Sequence, residues 1–107
     1  MESKTFVVIP VYNAEMKIRE VVDALVSGEY SVVVVDDGST DRTYHEACVA
    51  GVPVLSHVIN RGQGAALATG VRYALDQGAE VLVHFDADGQ HRVEDVERMV
   101  ERLNKGD

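Results

Sequence analysis

Residues 31–37 read Ser-Val-Val-Val-Val-Asp-Asp, an unbroken β-branched run that ends in two carboxylates. A strand with one face in water alternates apolar and polar residues, whereas an unbroken run is typical of a parallel strand covered on both faces. Short apolar runs also occupy residues 5–10, 53–58 and 80–85. Together with residues 31–36, they predict a sheet of four parallel strands.

An amphipathic segment follows each of these runs. Its apolar residues recur at spacings of three and four, and a glycine that can take the left-handed conformation of a helix C-cap follows. The segments are marked by these residues: Ile18, Val22 and Leu25 before Gly28; about residues 41–50 before Gly51; Leu67, Val71, Ala74 and Leu75 before Gly78; and Val93, Val96, Val100 and Leu103 before Gly106. Strands that alternate with helices imply right-handed crossovers and an α/β fold.

Size and charge limit what this chain can bind. At 107 residues it is one domain, and its formal net charge is −8. Because no cluster of Lys and Arg is present to contact phosphate backbones, sequence-independent nucleic-acid binding is excluded. An anionic nucleotide could bind only if a metal ion or backbone amides offset the repulsion.

Cysteine usage and the N-terminal residues bear on the compartment. The single cysteine, Cys48, excludes an intrachain disulfide, and its place on a predicted helix favours a small buried side chain. The chain opens without a signal-peptide pattern and has no run near the roughly 18 apolar residues of a membrane span. These features predict a cytoplasmic protein.

The residues that follow each strand are the candidates for function, because parallel α/β sheets bind ligands beyond the carboxyl ends of their strands. After the first strand, Pro10 ends the ladder and Asn13 can cap the next helix. Tyr12 could stack on a nucleotide base, with Asn13 or Glu15 accepting hydrogen bonds.

The second strand ends in adjacent carboxylates, Asp36 and Asp37, whose side chains must point in different directions. Gly38 allows a positive φ, and one residue of 39–41 can cap the second helix. We expect one carboxylate to steady the loop and Asp37 to project into a cleft, where it could accept from a base imide or amine.

The third strand leads into residues 60–67, Asn-Arg-Gly-Gln-Gly-Ala-Ala-Leu. Two glycines at a helix start can expose amides to a phosphate, and Asp86 lies about twenty residues further on, so a dinucleotide fingerprint is one alternative. Against it, Leu67 occupies the third glycine position. No role is predicted for His45, His57 or His84, which have no partner at a ligand spacing.

The fourth strand ends in residues 86–91, Asp-Ala-Asp-Gly-Gln-His. Asp86 and Asp88 could hold Mg²⁺ or Mn²⁺ with Gln90 as a further oxygen ligand, because hard cations prefer oxygen. The pattern lacks the ligands of a Ca²⁺ loop. A phosphatase motif with Asp86 as the nucleophile stays open, although that motif usually follows a first strand. His91 is expected to be an exposed residue near a helix start.

Taken together, residues 10–13, 35–41, 60–64 and 86–90 resemble the ordered motifs of family 2 glycosyltransferases. These enzymes have a GT-A fold and use nucleotide-diphosphate sugars. The resemblance is greatest to the dolichol- or polyprenyl-phosphate sugar synthases, which carry a similar Asp-Ala-Asp-x-Gln. It spans essentially the whole chain, and four motifs in order are far more specific than any one of them.

The resemblance implies a three-layer, Rossmann-like GT-A half-domain with strand order 3-2-1-4 and helices on both faces. It implies a nucleotide-sugar site formed by Pro10, Tyr12, Asn13, Glu15, Val35, Asp37, Asp86, Ala87 and Asp88, and a Mg²⁺ or Mn²⁺ site formed by Asp86, Asp88 and Gln90. The family commonly has Glu directly after Asn13, where this chain has Ala14 and then Glu15.

The implied activity is transfer of a hexose from a GDP- or UDP-sugar, such as GDP-mannose or UDP-glucose, to an acceptor such as a polyprenyl phosphate. In the family, the part after the Asp-x-Asp motif supplies the acceptor site and any general base. We therefore expect residues 1–107 to form one nucleotide-sugar-binding domain that works at the cytoplasmic membrane face. We also expect self-association through an exposed fourth strand. The alternative is a non-catalytic α/β module that binds a nucleotide or phosphate.

Overall fold

The computed structural model describes residues 4–87, which form seven alternating elements. They are β1 (Thr5–Val11), α1 (Ile18–Ser27), β2 (Ser31–Asp36), α2 (Thr43–Val49), β3 (Val54–Ser56), α3 (Gln63–Asp76) and β4 (Val81–His84). The predicted type and order of these elements are confirmed. The predicted fourth helix lies outside the described residues.

The four strands form one parallel sheet in the order β3-β2-β1-β4, as predicted. The long pairing runs between β1 and β2, where Val8 lies opposite Val33. Because all strands run in the same direction, the loops that follow them meet at one edge. We call it the carboxyl edge.

Helices cover both faces of the sheet. Successive residues of a strand point to opposite faces and therefore belong to two different cores. On one face, Val7 and Ile9 of β1 pack with Ile18 and Val22 of α1, and the same core includes Ala47 of α2. On the other face, Val8 and its neighbours pack against α3. Each large aliphatic side chain that leaves water contributes about 1.5–3 kcal/mol. The unbroken apolar runs of β1 and β2 are therefore explained by burial on both faces, whereas the outer strands β3 and β4 are less buried.

The face of α3 that meets the sheet includes Leu67, Val71 and Ala74 of the predicted stripe but not Leu75. Ala66, Gly70 and Ala74 are its buried residues, whereas Leu75 is 55% exposed. A Cβ atom on Gly70 would overlap Cγ1 of Val8. The small residues thus let the helix backbone approach the sheet closely, and the expectation that Leu75 belongs to the buried stripe was wrong.

Two further findings concern the single cysteine and the lengths of the helices. Cys48, expected to be buried, is exposed on α2. Among the described helices, none combines the length and apolar character needed to cross a bilayer, and α3 has 14 residues.

Candidate functional site at the carboxyl edge

A cleft of about 390 Å³ opens at the carboxyl edge of the sheet. This volume lies in the range of small-molecule sites, about 300–1,000 Å³. The cleft brings together residues at or beyond the carboxyl ends of all four strands and at the start of α3: Pro10, Val11, Tyr12, Asp37, Asn60, Gly62, Gln63, Ala66 and Asp86. Pro10, Tyr12, Asp37 and Asp86 were predicted site residues.

Asp37 is the most constrained of these residues. It is only 3% exposed, and its carboxylate accepts three hydrogen bonds within the protein. Oδ1 accepts from the N–H of Arg61 at 2.9 Å and from Nδ1 of His57 at 2.8 Å, and Oδ2 accepts from the N–H of Gly62 at 2.8 Å. All three donors belong to the β3–α3 connection, so this carboxylate fixes that loop to the end of β2.

The hydrogen bonds also set the ionisation of Asp37. Burial raises the pKa of the carboxyl, but the N–H of Arg61, the imidazole of His57 and the N–H of Gly62 together lower this pKa below its ordinary value. The group is therefore a carboxylate at neutral pH. Since each carboxylate oxygen has two lone pairs and Oδ2 receives one of these bonds, the group keeps an acceptor position for a ligand.

His57 was given no role in the sequence analysis, but it lies at the centre of this network. Its imidazole connects Asp37 to Thr69 of α3, whose Oγ1 lies 2.9 Å from Nε2. A sequence signal did exist, although spacing along the chain could not reveal it. Asp36 pairs with Ser56 in the β2–β3 register, so the next residues, Asp37 and His57, become neighbours.

Asn13 joins the first two loops instead of capping α1. Its backbone N–H donates to Oγ of Ser39, and its Oδ1 accepts from the N–H of Thr40, both at 2.9 Å. Lys17 precedes α1 without a side-chain cap, so the expected capping role was wrong. Asp36, the other carboxylate of the pair, accepts from the N–H of Ser39 at 3.2 Å and steadies the loop as expected.

Glu15 is held in the same pair of loops. Its Oε2 accepts from the N–H of Arg42 at 3.1 Å. Asp41 accepts from the N–H of Thr43 at 2.9 Å and that of Glu15 at 3.4 Å, at the start of α2. Burial raises the pKa of Asp41, but its bonds to Thr43 and Glu15 lower it overall. These contacts direct the carboxylate of Glu15 toward residue 42, and Glu15 is not part of the cleft wall.

Gly38 controls how closely the second and third loops approach. Its φ is +73°, and a Cβ atom there would lie 2.7 Å from the backbone nitrogen of Asn60 and 2.8 Å from the carbonyl carbon of Ile59. Only glycine fits both conditions. Gly38 therefore allows residues 59–60 to pack onto the turn beside Asp37.

The remaining predicted site residues lie in different settings. Val35 is fully buried in β2 with its Cγ2 toward α3, and Ala87 is buried in the core on the α1 face. Asp86 is partly buried and lines the cleft. Asp88 and Gln90 lie outside the described residues. Within residues 4–87, no three metal-ligating side chains come together, so Asp86 is the carboxylate that this part offers at the end of β4.

Comparison with known proteins adds a family match. A model described as Glycosyl transferase family 2 matches residues 6–107. An uncharacterized protein of Methanocaldococcus jannaschii is 45% identical over 100 residues, which cover 92% of this chain and 41% of that protein. The UDP-N-acetylglucosamine–dolichyl-phosphate N-acetylglucosaminyltransferase of Methanococcus voltae is 34% identical over an alignment of 116 positions that covers 92% of this chain and 46% of that enzyme.

A solved structure has the same architecture. Glucosyl-3-phosphoglycerate synthase from Mycobacterium tuberculosis, crystallised with Mn²⁺, UDP and glucosyl-3-phosphoglycerate, superposes with a TM-score of 0.74 at 27% identity. The match covers 94% of this chain and 39% of that one. The same enzyme has been crystallised with Mg²⁺ and UDP. The fold expected from the sequence resemblance is confirmed, and the chain spans less than half the length of each relative described here.

Proposed function

The chain belongs to glycosyl transferase family 2, and on that premise we propose that residues 1–107 form the nucleotide-sugar-binding part of a metal-dependent glycosyltransferase. The observation that carries this proposal is the cleft at the carboxyl edge. It unites Tyr12, Asp37 and Asp86, which follow three different strands. An aromatic ring can stack on a base, and a fixed acceptor can receive a hydrogen bond from the ring N–H of that base. A second carboxylate can bind the metal ion that holds a diphosphate.

The base and ribose would lie between Tyr12 and Asp37. Tyr12 is 44% exposed at the cleft, so its ring is open for stacking, an interaction worth about 1–3 kcal/mol per base. Asp37 offers its remaining acceptor position to a ring N–H. Pro10 forms part of the wall, with Val35 beside it on β2 and Ala87 buried next to Asp86 in the chain. Asn13 and Glu15 act indirectly in this proposal, by holding the loop of residues 39–43 in place.

The diphosphate would be bound through Mg²⁺ or Mn²⁺. Asp86 lines the cleft and supplies a hard oxygen donor, and we assign Asp88 and Gln90 as the further ligands from the sequence motif. A bound metal would neutralise the charge that develops on the departing nucleotide diphosphate. The net charge of −8 supports this assignment, because a second anion needs a cation between it and the protein.

We propose a hexose as the transferred group, GDP- or UDP-sugar as the donor and a polyprenyl phosphate as the acceptor. The M. voltae relative, whose name specifies UDP-N-acetylglucosamine and dolichyl phosphate, supports a nucleotide sugar and a lipid phosphate. A lipid-linked acceptor places the reaction at a membrane, and we propose its cytoplasmic face. We also propose self-association through β4, which is one of the two edge strands among the described strands.

Calorimetric titration of the full chain with UDP, GDP and NAD in the presence of Mn²⁺ tests the class of ligand. We expect UDP or GDP to bind and NAD to bind more weakly than either. A parallel assay with p-nitrophenyl phosphate should show no hydrolysis. Tighter binding of NAD would support a dinucleotide site, and hydrolysis lost in Asp86→Ala would support a phosphatase; either result would contradict the proposal.

A further inference from the structure

His57 occupies a position that no part of the proposed function explains. Its side chain is only 9% exposed, and both of its ring nitrogens have partners on other elements. Nδ1 meets the carboxylate of Asp37 after β2, and Nε2 meets the hydroxyl of Thr69 on α3. The imidazole is therefore held at both ends, between the cleft residue and the helix that covers the sheet.

The protons in this network can be assigned from the acceptors. The hydroxyl of Thr69 has one proton, which it donates to the carbonyl oxygen of Ala65 at 3.0 Å. Its oxygen then accepts from Nε2 of His57, and Nδ1 faces a carboxylate oxygen that can only accept. With acceptors opposite both ring nitrogens, the geometry points to an N–H donor on each of them, which is the arrangement of an imidazolium paired with the carboxylate of Asp37.

This ion pair has a consequence for a cleft that receives an anion. The imidazolium offsets the charge of Asp37, which would otherwise repel a nucleotide diphosphate at short range. The carboxylate nevertheless keeps its acceptor position. Because His57 is bonded to Thr69, the carboxylate of Asp37 is also fixed in orientation relative to α3. Gly62, which precedes this helix, and Gln63, its first residue, form another wall of the cleft.

We propose that His57 is a positioning residue for base recognition: with Thr69 as its anchor, it neutralises and orients Asp37 so that the carboxylate accepts a ring N–H of the base. This inference rests on the proposed function. An acceptor at this point fits uracil and guanine, which carry a ring N–H on the pairing edge. It disfavours cytosine and adenine, whose ring nitrogen there is itself an acceptor and would leave the carboxylate facing a lone pair.

The test compares UDP with N3-methyl-UDP, in which a methyl group replaces the N3 hydrogen. This hydrogen is the one that would be donated in the hydrogen bond to Asp37. Affinities are measured by calorimetry on the full chain with Mn²⁺. The wild type should prefer UDP by about tenfold to hundredfold, the worth of a hydrogen bond to a charged group. His57→Ala should lower UDP affinity by a similar factor and leave the affinity for N3-methyl-UDP within about threefold of wild type.

Three further variants separate positioning from general damage. In His57→Asn, the side-chain amide can still donate to Asp37, so most of the preference for UDP should return. Thr69→Val removes the anchor without changing the size of the side chain, and the preference should fall part of the way. His45→Ala, which removes an exposed histidine of α2, should bind both ligands as the wild type does.

Ring ¹⁵N chemical shifts of the nucleotide-free chain give a second readout that does not depend on ligand binding. Both nitrogens of His57 should be protonated at pH 7, and Asp37→Asn should remove one of these protons. A neutral ring in the wild type would overturn the proposal. Equal losses for both ligands in His57→Ala, or no loss, would also overturn it. A wild-type chain that binds neither ligand would instead refute the proposed function, and the base-recognition role with it.

Discussion

At the scale of single residues, the carboxylate of Asp37 organises the site. Its three donors come from residues 57, 61 and 62. These donors take the place of the water that the buried carboxylate has lost, and the same hydrogen bonds fix the loop to which they belong. Hydrogen bonds to charged groups contribute more than neutral ones. We therefore expect the loss of this carboxylate to lower both the stability of the fold and the affinity of the cleft for its ligand.

The first prediction concerns Asp37→Asn and pH. Because the pKa of Asp37 is lowered on folding, its stabilising contribution is present above the ordinary value of 3.8 and is lost as pH falls through the folded pKa. The variant should lose about 2 kcal/mol of unfolding free energy at pH 7. Its stability should also fall less steeply than that of the wild type below pH 4, as measured by urea unfolding.

The control is Asp23→Asn, which neutralises an exposed carboxylate of α1. Its unfolding free energy should run parallel to that of the wild type across the same pH range. A variant of Asp37 with the wild-type acid limb would contradict the account of its hydrogen bonds.

The second prediction concerns Gly38→Ala. The substitution should cost about 1–2 kcal/mol for the left-handed backbone. It should cost more because the new Cβ meets the backbone at Ile59 and Asn60, and UDP affinity should fall as the loop moves. Gly78→Ala is a matched control, since Gly78 has a φ of +88° and nothing within 4 Å of an added Cβ. Equal losses of thermal stability in the two variants would show that the loop contact contributes nothing.

Residue-level reasoning from the sequence succeeded where chemistry and strand position agree. Tyr12, Asp37 and Asp86 follow strands, and all three line the cleft. It failed where a side chain had two possible partners. Asn13 was expected to cap α1 but bonds across to Thr40. His57 was given no role because no partner lies at a ligand spacing along the chain, whereas its partner Asp37 follows the neighbouring strand. Such partners depend on strand register, which chain spacing does not contain.

At the scale of elements, α3 shows how composition sets the distance between helix and sheet. Its buried residues are the small Ala66, Gly70 and Ala74, and leucines at these positions would have required a wider gap. Apolar periodicity predicted this helix and most of its packed face correctly, since Leu67, Val71 and Ala74 pack against the core, but it wrongly included Leu75. Large apolar side chains determine the periodic pattern that is visible in the sequence, whereas small residues allow the helix to pack closely against the sheet.

The third prediction compares two glycines of α3. Alanine favours helix by up to about 1 kcal/mol over glycine. Gly64→Ala has open space around the new Cβ and should raise the urea midpoint. Gly70→Ala should lower it, because overpacking against Val8 and Val35 costs about 1–3 kcal/mol. Stabilisation by both substitutions would contradict the close approach of α3 to the sheet.

At the scale of the whole molecule, the two edge strands of the described sheet differ in length. β3 and β4 are the outer strands of the described sheet, and β3 has only three residues. β4 has four residues and lies beside the long central strand β1. An edge strand presents unpaired backbone groups that can pair with another chain. The α/β class and strand order were predictable from alternating elements and motif order, whereas what covers this edge was not.

The fourth prediction is concentration-dependent association in sedimentation velocity. Leu82→Lys places a charge on β4 and should shift the chain toward the monomer, because lysine on an edge strand opposes pairing. Val49→Lys adds the same charge to an exposed position of α2, near β3, and should leave association unchanged. A wild-type chain that stays monomeric at high concentration would rule out association through β4.

The central claim is that a metal ion links the carboxylates after β4 to a nucleotide diphosphate in the cleft. Calorimetric titration of UDP with Mn²⁺ and with EDTA, for the wild type and Asp88→Ala, tests it most directly, with Asp76→Ala as an exposed-carboxylate control. We predict binding that requires Mn²⁺, an affinity loss of at least about tenfold in Asp88→Ala, and no loss in Asp76→Ala. Equal affinity in Mn²⁺ and EDTA, or wild-type affinity in Asp88→Ala, would contradict the claim.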